Sequence, residues 1–411
     1  MSYFTELTLA AYGDAVADAF GRGRVSNPFT VFDSKMDKDN LPLLWDDGVD
    51  VTGSGTGSTY NQNEAAVTLD VSNATAGKVI RQTFQRFNYQ PGKSQLIFMT
   101  GILGTTTSGL ISQIGYFDDN NGLFFSHDEG TAKVVIRSNV TGTPANIEIA
   151  QSSWNLDQMD GVGGSTNPSG ITIDFSKTQI FTIDFEWLGV GGVRFGLVVD
   201  RKLIYVHEQN HANSLADVYM STPVLPCRYS LENTGAGAAF SETKQICSTV
   251  ISEGGVNPPG MLRHSESASK VNANTAGTFY ALLGLKLQAS KINTAVDLVN
   301  STILATTSDN YEWHILINPT VAGGGLTYAD MSDSSIQVGQ PDSSNPSATT
   351  VTGGTALDGG YGSSSSVTES ALNNSIRLGA AIDGTLDEIV LVVSPLTSNA
   401  DIYGSLSWRE L

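Results

Sequence analysis

The chain has 411 residues, enough at roughly 150 per domain for two or three domains and at least one sizeable core. Its 22 Lys and Arg face 41 Asp and Glu, a formal charge of −19 that would repel a phosphate backbone and argues against nucleic acid as a partner. Charged residues make up 15% of the chain against about 25% in an ordinary globular protein, so Ser, Thr, Asn and Gly carry its solubility, as on a β-protein surface.

Residues 1–25 read as a short helical arm. Leu7, Leu9, Ala10, Ala15, Val16 and Phe20 form an apolar stripe that would end at Gly21 or Gly23, and Arg22 and Arg24 follow as a small basic patch. Glu6, Asp14 and Asp18 interrupt the stripe, so the segment is not read as a signal peptide; no apolar run in the chain reaches the ~18 residues of a membrane-spanning helix, and no membrane partner is expected. A helix this short is marginal alone and must pack on something. Leu7, Leu9, Val16, Phe20, Arg22 and Arg24 are therefore the expected contacts with a neighbouring subunit; the alternative is that the segment packs on its own domain.

From Ser26 the period changes to two. Val67, Leu69 and Val71 alternate with polar residues, Val79–Phe87 and Gln95–Gly101 read as strands about a turn at Gly92, and Asn121-Gly122 reads as the type I′ tip of a hairpin. The most informative stretch is IFTIDFEWLGVGGVRFGLVVDRKLIYVHE, three strands at 180–188, 193–199 and 202–207 joined by a Gly-rich turn and a tight turn at Asp200-Arg201. Such a meander fits a two-sheet antiparallel sandwich with Phe181, Ile183, Phe185, Phe195 and Leu197 in its core. EGGVNPPG, residues 253–260, reads as a linker, after which strand patterns resume; Asp330–Ser375, poor in apolar runs, reads as loops or a long hairpin. Cys227 and Cys247, too few for a disulfide framework, are read as two reduced thiols, with a bridge across the turn at 233–237 as the alternative.

The chemistry-bearing patterns are few. His207-Glu208-Gln209-Asn210-His211 matches H-E-x-x-H, but it continues the strand pattern Lys202–Val206, and residues four apart on a strand sit roughly 13 Å from each other, too far to share a zinc ion. Asp184 and Glu186 share a strand face with Trp187 beside them, as a sugar-cleaving carboxylate pair would, yet the expected reading is a solvated sheet face. Asp118–Gly122 and Asp46-Asp47-Gly48 are oxygen-rich without the staggered spacing of a calcium loop. No phosphate-binding or dinucleotide loop and no nucleophile elbow is present. No catalytic residue, cofactor or metal is therefore expected.

The phrases RVSNPFTVFDSK, FNYQPGKSQLIFMTG, GYFDDNNGLFF, QSSWNLDQMDG, QIFTIDFEWLGVGGVRFGLVVDRKLIYVHE and VYMSTPVLPCRYSLEN resemble virion structural proteins of tailed bacteriophages and large viruses over about residues 24–255. VVDRKLIYV is also similar to a laminin-G or concanavalin strand pair, in which a Gly usually follows the Asp where this chain has Arg201. The expected fold is all-β: an N-terminal arm (1–25), a concanavalin-like β-sandwich or jelly roll (26–255) and a second, smaller β domain (256–411). The resemblance implies a non-enzymatic virion component decorating or cementing the capsid or forming part of the tail or fibre. It would be a homo-oligomer, with a trimer favoured by analogy, and would contact the major capsid or tail proteins in particles assembled in the host cytoplasm. The alternative is a carbohydrate-binding, receptor-recognising module of the virion that takes a host surface glycan; a glycan depolymerase stands far behind.

Overall fold

The computed structural model describes residues 17–24, 27–50, 56–73, 76–235, 241–255, 260–307, 309–372 and 378–411. Among these the regular structure is strand with three short 3-10 turns, every strand pairing is antiparallel, and no helix is long and apolar enough to cross a membrane. The chain divides into two compact units: Met1–Thr83 with Phe87–Asn257, and Phe84–Arg86 with Pro258–Leu411.

The first unit is an antiparallel β-sandwich. One sheet of eight strands runs in the order Lys202–Gln209, Val193–Val199, Gln179–Phe185, Ser94–Ile102, Ser241–Glu253, Ala66–Val71 and Thr56–Asn61, with Pro28–Lys35 also pairing to Ser241–Glu253. The other, of seven, runs Ala145–Ala150, Thr131–Ser138, Gly122–Asp128, Leu110–Phe117, Cys227–Asn233, Gly77–Thr83 and Trp45–Asp50. Because side chains alternate along a strand, one face of each sheet is apolar, and the two apolar faces close on each other. Phe181, Ile183, Phe185, Phe195 and Leu197 lie in this core, as expected, against Ile114, Tyr116, Phe125, Val134 and Ile136 of the facing sheet.

The second unit repeats the principle. Five strands (Met261–Glu266, Ala400–Glu410, Val296–Ala305 and Val367–Ala371 in order, with Val271–Ala273 also on Ala400–Glu410) form one sheet. Eight strands form the other, whose main path is Thr320–Ala322, Thr350–Thr352, Phe279–Leu287, Glu388–Pro395, Tyr311–Ile317 and Thr355–Gly362. Leu283, Leu285, Trp313, Ile315 and Leu391 pack with Ile303, Ile402, Leu406 and Trp408. The polar stretch expected as loops or a hairpin thus supplies strands at Ile336–Pro341, Thr350–Thr352, Thr355–Gly362 and Val367–Ala371, because backbone pairing there needs few apolar side chains.

Three local expectations are corrected. Residues 17–24 do not end a helix; Ala17 and Gly23 bridge each other around a turn with Gly21 at φ +73°. The strand expected through Phe87 stops at Thr83, and Phe87 makes only an isolated bridge to Leu225. Asn121-Gly122 is not a type I′ tip: neither residue has positive φ, and Gly122 is already in the strand opposite Phe117, where an added Cβ would fall 2.0 Å from that of Phe117. The loop is Asp118–Asn121, held by the Asp118 carboxylate accepting the N–H groups of Asn120 and Asn121 at 2.8 and 2.9 Å. The tight turn at Asp200-Arg201 is where the sequence puts it, with both residues left-handed at φ +48° and +66°.

Candidate functional site

Strand Gln179–Phe185 sends Phe181, Ile183 and Phe185 inward, which leaves Thr182 and Asp184 on the outer face of the sheet. Both are nonetheless fully buried. Over Asp184 lies the segment 17–24, whose shape Asp18 fixes: its carboxylate accepts the N–H groups of Phe20 at 3.0 Å and Arg22 at 2.8 Å and the Arg22 Nε at 2.7 Å. Arg22 lies 4.5 Å over the Phe20 ring and donates to the Gly92 carbonyl at 3.0 Å.

Beneath this cover Asp184 Oδ2 accepts from Arg24 Nη2, from Arg194 Nη2 at 2.5 Å and from the Tyr205 hydroxyl at 2.6 Å. Arg194 stacks on the Tyr205 ring at 4.4 Å and donates to the Ala17 carbonyl at 2.9 Å, so sheet and segment are tied by charge as well as by backbone. Arg24 also pairs with Glu253 at 3.0 Å, and the Ser94 hydroxyl donates to Glu253 at 2.7 Å. Burial works against the Arg24 charge, but Asp184, Tyr205 and Glu253 outweigh it and hold the guanidinium more firmly protonated than usual. Burial, reinforced by Asp184, drives the Tyr205 phenol far above its ordinary range, and burial also raises the Glu253 carboxyl against the pull of Ser94 and Arg24.

Beside the cluster opens a groove of about 390 Å³. Asp18, Arg22, Lys93 and Glu253 supply its polar groups, and Gly23, Gly92 and Gly254 leave the room. Lys93 Nζ is anchored on the Gln90 side chain at 2.7 Å and the Gly255 carbonyl at 2.8 Å. Chemically this is a set of hydrogen-bond donors and acceptors already charged and oriented. Asp184 is sealed from solvent with three donors on one oxygen, so it can neither pass a proton to a bound molecule nor attack one. Glu186, its strand neighbour, is half-buried, raised in pKa by that burial, and turned to the N–H of Gly192 at 3.2 Å.

No family model and no curated protein matches the chain. Solved structures similar to it include the carbohydrate recognition domain of Emp47p (10% identity over 56% of this chain and 97% of that one, TM-score 0.34). They also include a glycoside hydrolase family protein from Mycobacterium thermorestibile (12%, 54% and 99%, TM-score 0.36) and a legume lectin-like domain from Entamoeba histolytica (8%, 54% and 96%, TM-score 0.31).

The expected contact residues are distributed unevenly. Leu7, Leu9 and Val16 lie outside the described residues. Phe20 sits under Arg22, and Arg24 is spent on Asp184, Tyr205 and Glu253 of its own chain. The Asp184–Glu186 face, expected to be solvated, is corrected to a buried ionic cluster at Asp184. Trp187 is no open stacking platform: it packs on the core, edge-on to Tyr89, and its Nε1–H donates to the Met220 carbonyl at 3.1 Å. His207 and His211 fall on a strand and the turn after it, as the pattern indicated, but both are buried rather than polar strand-end residues. His211 Nδ1–H donates to the Gly191 carbonyl at 2.6 Å and its ring stacks on Tyr219 at 4.2 Å. Among the described residues no three His, Cys, Asp or Glu side chains gather as a metal site requires, and both cysteines are free. Sequence reasoning missed the partners of Asp184 altogether. The one signal available was the pair Arg22 and Arg24 in so acidic a chain.

Proposed function

We propose that the chain is a non-catalytic, carbohydrate-binding β-sandwich protein, and that its place of work is the surface of a virus particle. The observation that carries the first half is the state of Asp184. A sandwich that cleaves glycosides on a sheet face needs two carboxyl groups open to the sugar, one to give a proton and one to stabilise or attack the anomeric carbon. Here one of the pair is closed off by Arg24, Arg194 and Tyr205, and what remains accessible next to it is the groove of Asp18, Arg22, Lys93 and Glu253. Its volume falls in the range of a small-ligand site, and its mixture of carboxylates and cationic donors suits vicinal hydroxyls. Double-sheet jelly rolls serve both lectin and capsid domains, so the fold is compatible with binding and with particle structure without choosing between them.

The virion setting rests on the resemblance of residues 24–255 alone, and with it the reading of the chain as a many-copy homo-oligomer that meets capsid or tail proteins. Printing the intact chain against a broad array of glycans, and incubating it with those it retains, tests the main proposal. Retention without release of new reducing ends is the expected result. Release of reducing ends would overturn the non-catalytic reading, and no retention on any glycan would overturn carbohydrate binding.

A further inference from the structure

In the second unit, Thr355–Gly362 is an edge strand of the larger sheet and pairs with Tyr311–Ile317 so that Tyr361 faces Glu312 and Gly359 faces His314. Directly paired residues share a face, and Trp313, between Glu312 and His314, points the other way into the core. Tyr361, Glu312, His314 and Gly359 are therefore neighbours on the outer face. Tyr361 is 72% exposed, more than any other aromatic side chain among the described residues. His314 Nε2 and Glu312 Oε1 are 3.1 Å apart, each side chain about one-third exposed, and Phe279 stacks on the His314 ring at 4.8 Å. Gly359 keeps the floor clear: a Cβ there would come within 2.4 Å of the imidazole and 2.8 Å of the Trp313 carbonyl.

From this arrangement we infer a saccharide-binding platform on the second unit, built on Tyr361, Glu312 and His314. The Tyr361 ring offers an apolar face to the C–H side of a pyranose, the Glu312 carboxylate accepts from adjacent hydroxyls, and the imidazole, steadied by Phe279, exchanges a hydrogen bond with a third. The bound sugar is a neutral oligosaccharide, because the platform holds a carboxylate and the whole chain carries a charge of −19, which disfavours uronic or sialic acids. This inference rests on the carbohydrate-binding reading and adds a second site, distinct in residues from the Lys93–Glu253 groove.

The test is saturation-transfer NMR on the intact chain with maltotriose, cellotriose and chitotriose as probes, followed by titration of those that respond. Tyr361→Ala is expected to weaken binding roughly tenfold or more, Tyr361→Phe to retain it, and Glu312→Ala to weaken it. Equal affinity in the parent chain and in Tyr361→Ala overturns the platform and leaves the carbohydrate-binding proposal standing. A Tyr361→Ala variant that changes mass by light scattering while binding sugar normally overturns it in favour of a contact between copies of the chain. No response from the parent chain to any of the probes overturns the platform, while the glycan array decides the broader reading.

Discussion

Two sheet faces of this molecule carry the same pair of groups, a tyrosine beside a carboxylate, in opposite states. In the first unit Tyr205 is 1% exposed and gives its hydroxyl proton to a hydrogen bond with Asp184, while two arginines neutralise that carboxylate under the segment 17–24. In the second unit Tyr361 is 72% exposed beside Glu312. What differs is that the strand beside Asp184 places Arg194 against it and a further segment of chain adds Arg24 and a lid, and that decides whether the pair fastens the fold or meets a ligand. The largest effect should come from breaking the sealed pair. Asp184→Ala takes the shared carboxylate from the buried Arg194 and from Arg24, which keeps Glu253, and should lower stability by about 3–5 kcal/mol, whereas the double variant Asp184→Leu, Arg194→Met should recover most of the loss, since well-packed apolar replacements of a buried ion pair are often neutral. Urea unfolding of both variants measures the difference, and a single variant as stable as the parent would show that the cluster is not a fastening.

Next in size is the tie between segment and sheet. Arg24→Met keeps much of the side-chain volume but removes the bonds to Asp184, Tyr205 and Glu253, and should cost about 1.5–3 kcal/mol, the range for hydrogen bonds to a charged group. It should also speed proteolysis within residues 17–24 while leaving the second unit's cleavage pattern unchanged. Unaltered proteolysis would mean that backbone contacts alone hold the segment.

Those two positions also show how far the sequence can be read. The core of the first sandwich is written in local order: QIFTIDF and VRFGLVV alternate, and every apolar residue at an inward position goes inward. Even the left-handed turn at Asp200-Arg201 is signalled by the abrupt end of alternation. Asp184 is different, because its environment is made by residues 10, 21 and 160 positions away, and nothing within a strand's length distinguishes a solvated aspartate from one that two arginines will cover. The platform at Tyr361 was hidden for a related reason. GGYG lies in a Ser/Gly-rich stretch whose strands are held by backbone pairing, so the apolar periodicity that marks strands elsewhere is weak there. The H-E-x-x-H pattern was legible as a strand, but the burial of His211 depends on the turn 187–192 and on Tyr219, again beyond local reach.

Acid should separate the two regions in turn. Burial lowers His211 below its ordinary value of 6.5 despite the bond to the Gly191 carbonyl, and lowers His207 despite Gln209 and Glu208. The folded state then binds fewer protons than the unfolded chain, so the stability these histidines leave intact is fully present above 6.5 and declines as pH falls below it. Denaturant midpoints of the first unit, followed through its own tryptophans, should drop between about pH 7 and about pH 5, and His211→Asn should flatten that slope. A midpoint independent of pH in this window would contradict the burial of both rings.

The smallest effect on stability is expected at the exposed tyrosine of the second unit. Tyr361→Phe removes a hydroxyl from a ring standing in solvent, so the folded and unfolded chains lose nearly the same hydration and stability should move by less than about 0.5 kcal/mol. Tyr205→Phe deletes the same atom, but there it leaves Asp184 short of one donor and Arg24 short of an acceptor, and about 1.5–3 kcal/mol should go with it. Measured side by side by urea unfolding, the two substitutions read the environment and not the chemistry of the residue. Equal losses would mean that Tyr361 is covered in solution, and its ring could then no longer serve as an open face for a sugar.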